Sequence, residues 1–381
     1  MRLALLAALA LTPAALGAQS VPTRTIGGAE AEFAEPFTRV SGVRELRDGR
    51  LIVADQRDQT LQRIDLGTGT ATPVGRRGSG PNEYDMPVDA FAMPGDSTLV
   101  FDPNNQRYLV VGPDAKPAGT FTLGDATGMR AIGRRVRGVD AQGRLYYQGS
   151  SVPALDGNDG LPREALDSVP IVRWDRKSGR HDTLGMIKGT EMQLGGSSRG
   201  NRRVVMFRQQ PLAASDDWAV APDGRVAVAR SGKYGLDWIA NGKRTAGGAV
   251  AYTPIRVTAA DKKEWEQQAR SARPMMHAGS GGGGRLPPPP PPDADEMEWP
   301  EVKPPFTASA ALVTPEGEAW VRRTVPAGEK RPHYDIFDAQ GRLVAKVVLP
   351  EGTRLVGFGK DVAYLVRTDE DGLEWLGRYR R

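Results

Sequence analysis

Apolar and polar positions in this chain recur in short runs of period two, each entered through a tight turn. The pattern appears as "RDGRLIVAD" (47–55), "PGDSTLVFD" (94–102) and "AQGRLYYQG" (141–149), then as "PDGRVAVAR" (222–230) and "PEGEAWVRR" (315–323). A degenerate sixth copy is "FGKDVAYLVR" (358–367). The Asp-Gly or Gln-Gly pair supplies the positive φ of a tight hairpin, and the run that follows is alternating, β-branched or aromatic. These runs predict antiparallel hairpins throughout. The 46 glycines and 30 prolines agree, because they favour turns over long helices.

The central glycines of the first three copies sit about 47 residues apart, the size of a four-stranded antiparallel blade. Later spacings are longer, and each excess holds loop material. Residues 150–168 are one such stretch, and a polar Gly/Ser/Arg-rich stretch between Lys188 and Gln209 is another. After the fourth copy a helical pattern runs over 258–272 with Thr258 as its N-cap. It leads into a Gly/Pro-rich insert, 274–300, which cannot pack a core and reads as disordered or polyproline II. Six comparable units remain, which predicts an all-β six-bladed β-propeller. The last unit supplies only three strands, so an N-terminal strand at 22–28 is expected to pair with 373–379 and close the ring.

The stretch "GRRGSGPNEYDMPVD" (75–89) tests for nucleotide binding. A phosphate loop sets its glycines between a strand and a helix. Here Pro81 follows Gly80, a strand comes next, and the P-loop lysine and Ser/Thr are missing. The stretch instead resembles the NHL-type propeller repeat. It carries Gly75, Gly78, Gly80, Glu83, Tyr84 and Pro87, then "LVFDPNNQRYLVV" with Asp102, Asn105 and Arg107. Blade 1 keeps Asp55 and replaces the Asn with Asp58; the other blades keep only the turn and strand. The mature chain as a whole resembles the exported bacterial six-bladed propellers of the NHL-like or TolB-like type. The resemblance implies structural roles: Asp102 and Asn105 brace a hairpin corner, and Arg107 ties neighbouring blades.

The N-terminus sets the compartment. Arg2 precedes the apolar run 3–18, which ends in small residues, the layout of a secretory signal. Cleavage is expected after Ala18, leaving 19–381 as one propeller domain in the periplasm or outside the cell, without stable membrane insertion. Among 381 residues cysteine is absent, so an exported chain must hold together by core burial alone, without thiolate or sulfur-zinc chemistry. Lys+Arg exceed Asp+Glu by only 51 to 46, spread along the chain, so nucleic acid is not an expected partner.

Candidate chemistry is sparse. His181, His277 and His333 stand apart, with no metal-ligand spacing. "GSSRG" (196–200) matches a nucleophile elbow at Ser198 but lacks the strand-to-helix context. "DGNDG" (156–160) resembles part of a calcium loop, although Gly160 stands where a third oxygen ligand is needed. Gluconolactonase and paraoxonase propellers hold calcium in the axial channel with Glu, Asn and Asp from different inner strands; no such set is assignable here, and no cofactor is required, calcium remaining open. Trp174, Trp218, Trp238, Trp320 and Trp375 read as blade packing.

The loops from each outer strand to the next inner strand converge on one face. They carry Arg39, Glu83, Arg130, Arg208, Lys303 and Arg354, five of six cationic, and suit a carboxylate, phosphate or sugar acid. The clusters "GRRVRG" (133–138) and "GNRRVVMFR" (200–208) fit the same reading, or that of solvated loops in a basic protein. The expected function is non-catalytic binding of a protein or peptide partner or a small anionic ligand at this mouth. The alternative is a calcium-dependent hydrolase of the lactonase type. Acids and amides meeting at the axis favour the enzyme, and an axis of arginine and apolar residues favours binding. A plugged axis with an exposed apolar outer face favours a structural interaction module.

Overall fold

The computed structural model describes residues 21–123, 135–149, 168–190, 192–199, 202–271, 294 and 297–381, with the backbone alone at 192–199, 202–209, 270 and 271. Five antiparallel four-stranded meanders follow one another: blade 1 (40–73), blade 2 (88–121), blade 3 (136–188), blade 4 (217–249) and blade 5 (311–348). Blade 6 supplies Thr353–Gly359, Val362–Thr368 and Glu374–Arg380. Inner strands touch in the order 6, 1, 2, 3, 4, 5. The chain is a six-bladed β-propeller.

Closure uses the N-terminus, with a different division of labour from the one expected. The fourth strand of blade 6 is Ala31–Glu32, which pairs antiparallel with Arg378 and Gly377. Phe37 adds a further bridge to Glu374. The segment expected to do this, 22–28, instead lays Thr23–Thr25 parallel along Lys346–Val348 as a fifth strand of blade 5. One leader thus covers two outer edges, leaving fewer unpaired edge groups exposed.

The hairpin turns form for the reason read from their sequences. Gly49 and Gly224 hold φ of 85° and 86°, and in the degenerate sixth copy Asp361 takes the left-handed position at 59°. The alternating runs then bury one face each way. Six hydrophobic clusters result, one in each wedge between consecutive blades, including that between blades 6 and 1. Fully buried Tyr108, Tyr146, Tyr147, Trp218, Tyr364, Phe306 and Phe337 are among their largest members.

Two excursions interrupt the ring. Residues 192–199 and 202–209, read as loop, pair as an antiparallel hairpin; the β-branched and aromatic run 204–207 supplies the strand propensity. Beyond blade 4, Ile255–Arg256 pairs with Val302–Lys303, and the helix Ala259–Ser271 rises between them. Thr258 caps it reciprocally with Asp261: the Asp261 carboxylate accepts the Thr258 N–H at 2.8 Å, and Thr258 Oγ1 accepts the Asp261 N–H. Nearly all of the Gly/Pro-rich insert lies outside the described residues, as does 1–18, the stretch expected to be a signal peptide.

Candidate functional site

The six inner strands enclose an axial channel of about 1190 Å³. Its chemistry starts from a backbone irregularity. In blades 1, 3 and 6 the pairing skips one residue between Val40 and Gly42, Val136 and Gly138, and Leu355 and Gly357. Blade 2 has the corresponding shift between Val88 and Phe91. A bulge re-aims the extra side chain, and Ser41, Asp89, Arg137 and Val356 all line the channel. The glycine after each single-residue bulge lets the next blade approach. A Cβ on Gly138 would lie 2.5 Å from Val220 Cγ2, and one on Gly357 2.8 Å from the Val43 carbonyl oxygen.

Three arginines reach this lining: Arg135 and Arg137 from blade 3, and Arg354 from blade 6, which stands opposite in a ring of six. Each is steadied by an acid. Arg137 Nη2 donates to Asp217 at 2.6 Å, and its guanidinium lies 5.0 Å from the Trp218 ring centroid. Asp217 is buried and also accepts the Ala311 N–H at 2.7 Å, so one carboxylate joins blades 3, 4 and 5. Arg354 Nη2 donates to Glu374 and to the Val40 carbonyl. Glu374, also buried, accepts the Val40 N–H at 2.7 Å and Arg39 Nη1 at 2.9 Å. Arg135 is held by both oxygens of Asp89, whose backbone sits at a φ of 58°.

The acids do not consume these arginines. A guanidinium has five N–H donors. Among the described residues, Nε and Nη1 of both Arg137 and Arg354 have no hydrogen-bond acceptor. Burial pulls the Arg354 guanidinium below its ordinary value, against the opposing pull of Glu374, while the hydrogen bonds that Arg135 donates to Asp89 raise Arg135. Both stay charged at physiological pH.

Of the mouth residues named from sequence, Arg354 is the one among the described residues that lines the channel. Arg39 stands beside it, its side chain 54% exposed, and shares Oε1 of Glu374 with Arg354. Glu83 is spent within its own loop, accepting the Gly80 N–H at 2.8 Å and Arg76 Nε at 2.6 Å, which hold its carboxyl below the usual range. Lys303 is withdrawn from the mouth: it is buried against Asp261 at the helix base, with Nζ 2.7 Å from the Val325 carbonyl. Arg130 and the side chain of Arg208 lie outside the described residues. Arg135 and Arg137 sat inside "GRRVRG" without a direction; the signal that gives one is the recurring inner-strand x-Gly step of "VSGV", "VRGV" and "LVGF".

The blade 2 motif residues form one corner. Asp102 accepts the N–H groups of Asp85 and Met86 and, at 2.7 Å, Asn105 Nδ2. Asn105 also donates to the Gly78 carbonyl, and Arg107 Nη2 to the carbonyls of Gly80 and Glu83. Residues 75–89 are therefore the turn between blades 1 and 2. Its Tyr84 hydroxyl accepts the Leu61 N–H inside the wedge.

The remaining sequence candidates do not converge. Tyr147 and the His181 Nδ1 lie 2.9 Å apart in blade 3, where the His181 ring stacks on Trp174. His333 opens a strand of blade 5. Ser198 falls within the strand Met192–Arg199 rather than at a strand-to-helix turn. His277 and residues 156–160 lie outside the described residues.

No protein family and no curated protein matches this sequence. Solved structures match in fold. A Bacteroides fragilis protein described as exported aligns over 93% of each chain at 12% identity and a TM-score of 0.50. A gluconolactonase of Xanthomonas campestris covers 93% of this chain and 90% of its own at 10% identity and 0.43. A virginiamycin B lyase of Staphylococcus aureus covers 92% and 97% at 9% and 0.39. At such identities the likeness shows the fold alone.

Proposed function

We propose that this protein is an exported, non-catalytic binding propeller of the NHL-like type that takes a small anionic ligand in its axial channel. One observation carries the reading: Arg137 and Arg354 enter the channel from opposite blades, each with donor nitrogens left over after its structural ion pair. Charge-assisted, fork-shaped donors of this kind suit carboxylate or phosphate oxygens. The Asp102–Asn105–Arg107 corner supports the repeat type, and the signal-like N-terminus supports export. Among the described residues no helix is long and apolar enough to cross a membrane.

The calcium-dependent alternative needs acids and amides free to ligate at the axis. Asp89 and Asp217 are each engaged by an arginine. Among the described residues no group of three or more His, Asp or Glu side chains stands close enough to hold a metal. These residues do not fit a calcium centre.

Thermal melts of the mature protein with acetate, gluconate, phosphate, calcium and EDTA test the proposal. An anion at ~100 times its dissociation constant stabilises by ~2.7 kcal/mol. We expect that rise with one class of anion, its loss in Arg137→Gln and its partial retention in Arg137→Lys. A rise with calcium that EDTA reverses, and none with anions, would favour the hydrolase.

A further inference from the structure

The charged groups of the channel lie toward one end. Each inner strand begins at the mouth and ends at a hairpin turn on the opposite face. The charged lining residues, Asp89, Arg135, Arg137 and Arg354, all belong to the first half of their strands or precede them. Toward the turns each blade contributes one hydrophobic side chain: Val43, Phe91, Val139, Val220, Val313 and Phe358. They stand at one level of the lining, each with one side packed against the core between blades, and no charged residue of the lining lies among them. From Arg354 to Phe358 is four residues of strand, about 13 Å at ~3.3 Å per residue.

Building on the anion reading above, we infer that the ligand is an amphiphilic carboxylate: a head group held by Arg137 and Arg354 and an unbranched apolar tail running down the axis into the six-residue ring. A purely polar anion would leave this ring in contact with water. A tail that fills it gains about 0.8 kcal/mol for each buried CH₂, or roughly fourfold in affinity. The head and the tail therefore make separate, measurable contributions.

Calorimetric titration of the full mature chain with acetate, hexanoate, decanoate below its aggregation concentration, and decanol separates them. Decanoate, with four more CH₂ groups, is expected to bind roughly two-hundred-fold more tightly than hexanoate, and decanol much more weakly than decanoate. In Val220→Thr and Val313→Thr, which keep side-chain shape, decanoate binding weakens several-fold while acetate binding is unchanged. Equal affinities for acetate, hexanoate and decanoate would overturn the tail and leave the anion site standing. Decanol binding as tightly as decanoate would overturn the anion site itself. Binding of none of the four would overturn both.

Discussion

The corners of blades 2 and 4 do the same mechanical work with opposite chemistry. Both lie where the second strand of a blade meets the loop that enters its inner strand. In blade 2 the strand supplies a buried carboxylate, Asp102, and the loop supplies backbone N–H groups. In blade 4 the strand supplies a cation, Arg230, and the loop supplies the acid, Asp216. Asp216 accepts the Ser231 N–H at 2.9 Å and the Lys188 N–H at 3.1 Å, and Arg230 reaches on to Asp237 at 2.6 Å. Blade 5 follows blade 4, with Arg323 and the Tyr234 hydroxyl both donating to Asp335. A corner needs a buried acceptor for its loop, and either local spacing or a long-range ion pair can place it there. The first leaves a motif in the sequence and the second does not.

The ion-paired corner should break hardest. Arg230 neutralises two buried acids, Asp216 and Asp237, with Arg244 also on Asp237. Arg230→Met removes the shared partner and is expected to cost ~4 kcal/mol, because an uncompensated buried charge is left behind. Chemical denaturation checks this. The triple change Asp216→Asn, Arg230→Met, Asp237→Asn should recover most of the loss, since replacing a whole buried ion cluster is often close to neutral. Triple and single variants of equal stability would show that blade 4 depends on the carboxylates as acceptors rather than on charge balance.

The motif corner should cost somewhat less and admit no such rescue. Asp102→Ala orphans the N–H groups of Asp85 and Met86 and one donor of Asn105. Losing hydrogen bonds to a charged, fully buried acceptor is expected to cost ~3 kcal/mol. Asp102→Ala combined with Asn105→Ala should be no more stable, because the two backbone donors remain unpaired. Recovery in the double variant would mean that Asn105, not the loop backbone, is what Asp102 serves.

This contrast explains what was legible in the sequence. Six turn-and-strand runs counted the blades because each hairpin needs its own positive-φ residue. The blade 2 corner was readable because Asp102, Asn105 and Arg107 act within one short segment. The helix cap at Thr258 was readable for the same reason. Long-range choices were not. Which N-terminal segment closes blade 6 depends on ring geometry, since Thr23–Thr25 and Ala31–Glu32 are both short and extended. Lys303 looked like a mouth residue until the fold brought Asp261 to it. Arg137 was visible only as part of a basic cluster, because its direction comes from a bulge that places it over Trp218.

The smallest effect expected at neutral pH separates the two corners by their tyrosines. Tyr84 in the motif half accepts a backbone N–H, whereas Tyr234 in the ion-paired half donates to Asp335 at 2.6 Å. Burial raises both phenols above the ordinary tyrosine value. For Tyr84 the Leu61 N–H opposes the rise, and for Tyr234 the Asp335 charge adds to it. A raised phenol contributes stability that is fully present below its unfolded value, near pH 10, and is lost as the pH climbs through its folded value. Stability should therefore fall above about pH 10, by up to ~1.4 kcal/mol per pH unit for each such tyrosine. Tyr234→Phe should cost only ~1 kcal/mol at pH 7, since Arg323 still satisfies Asp335, and should make the alkaline decline shallower by about one proton. Tyr84→Phe should leave Leu61 N–H unpaired and flatten the decline less, over a lower pH range. A decline as steep in Tyr234→Phe as in the unaltered protein, measured by denaturation at pH 9 to 11, would mean that folding does not raise the Tyr234 phenol.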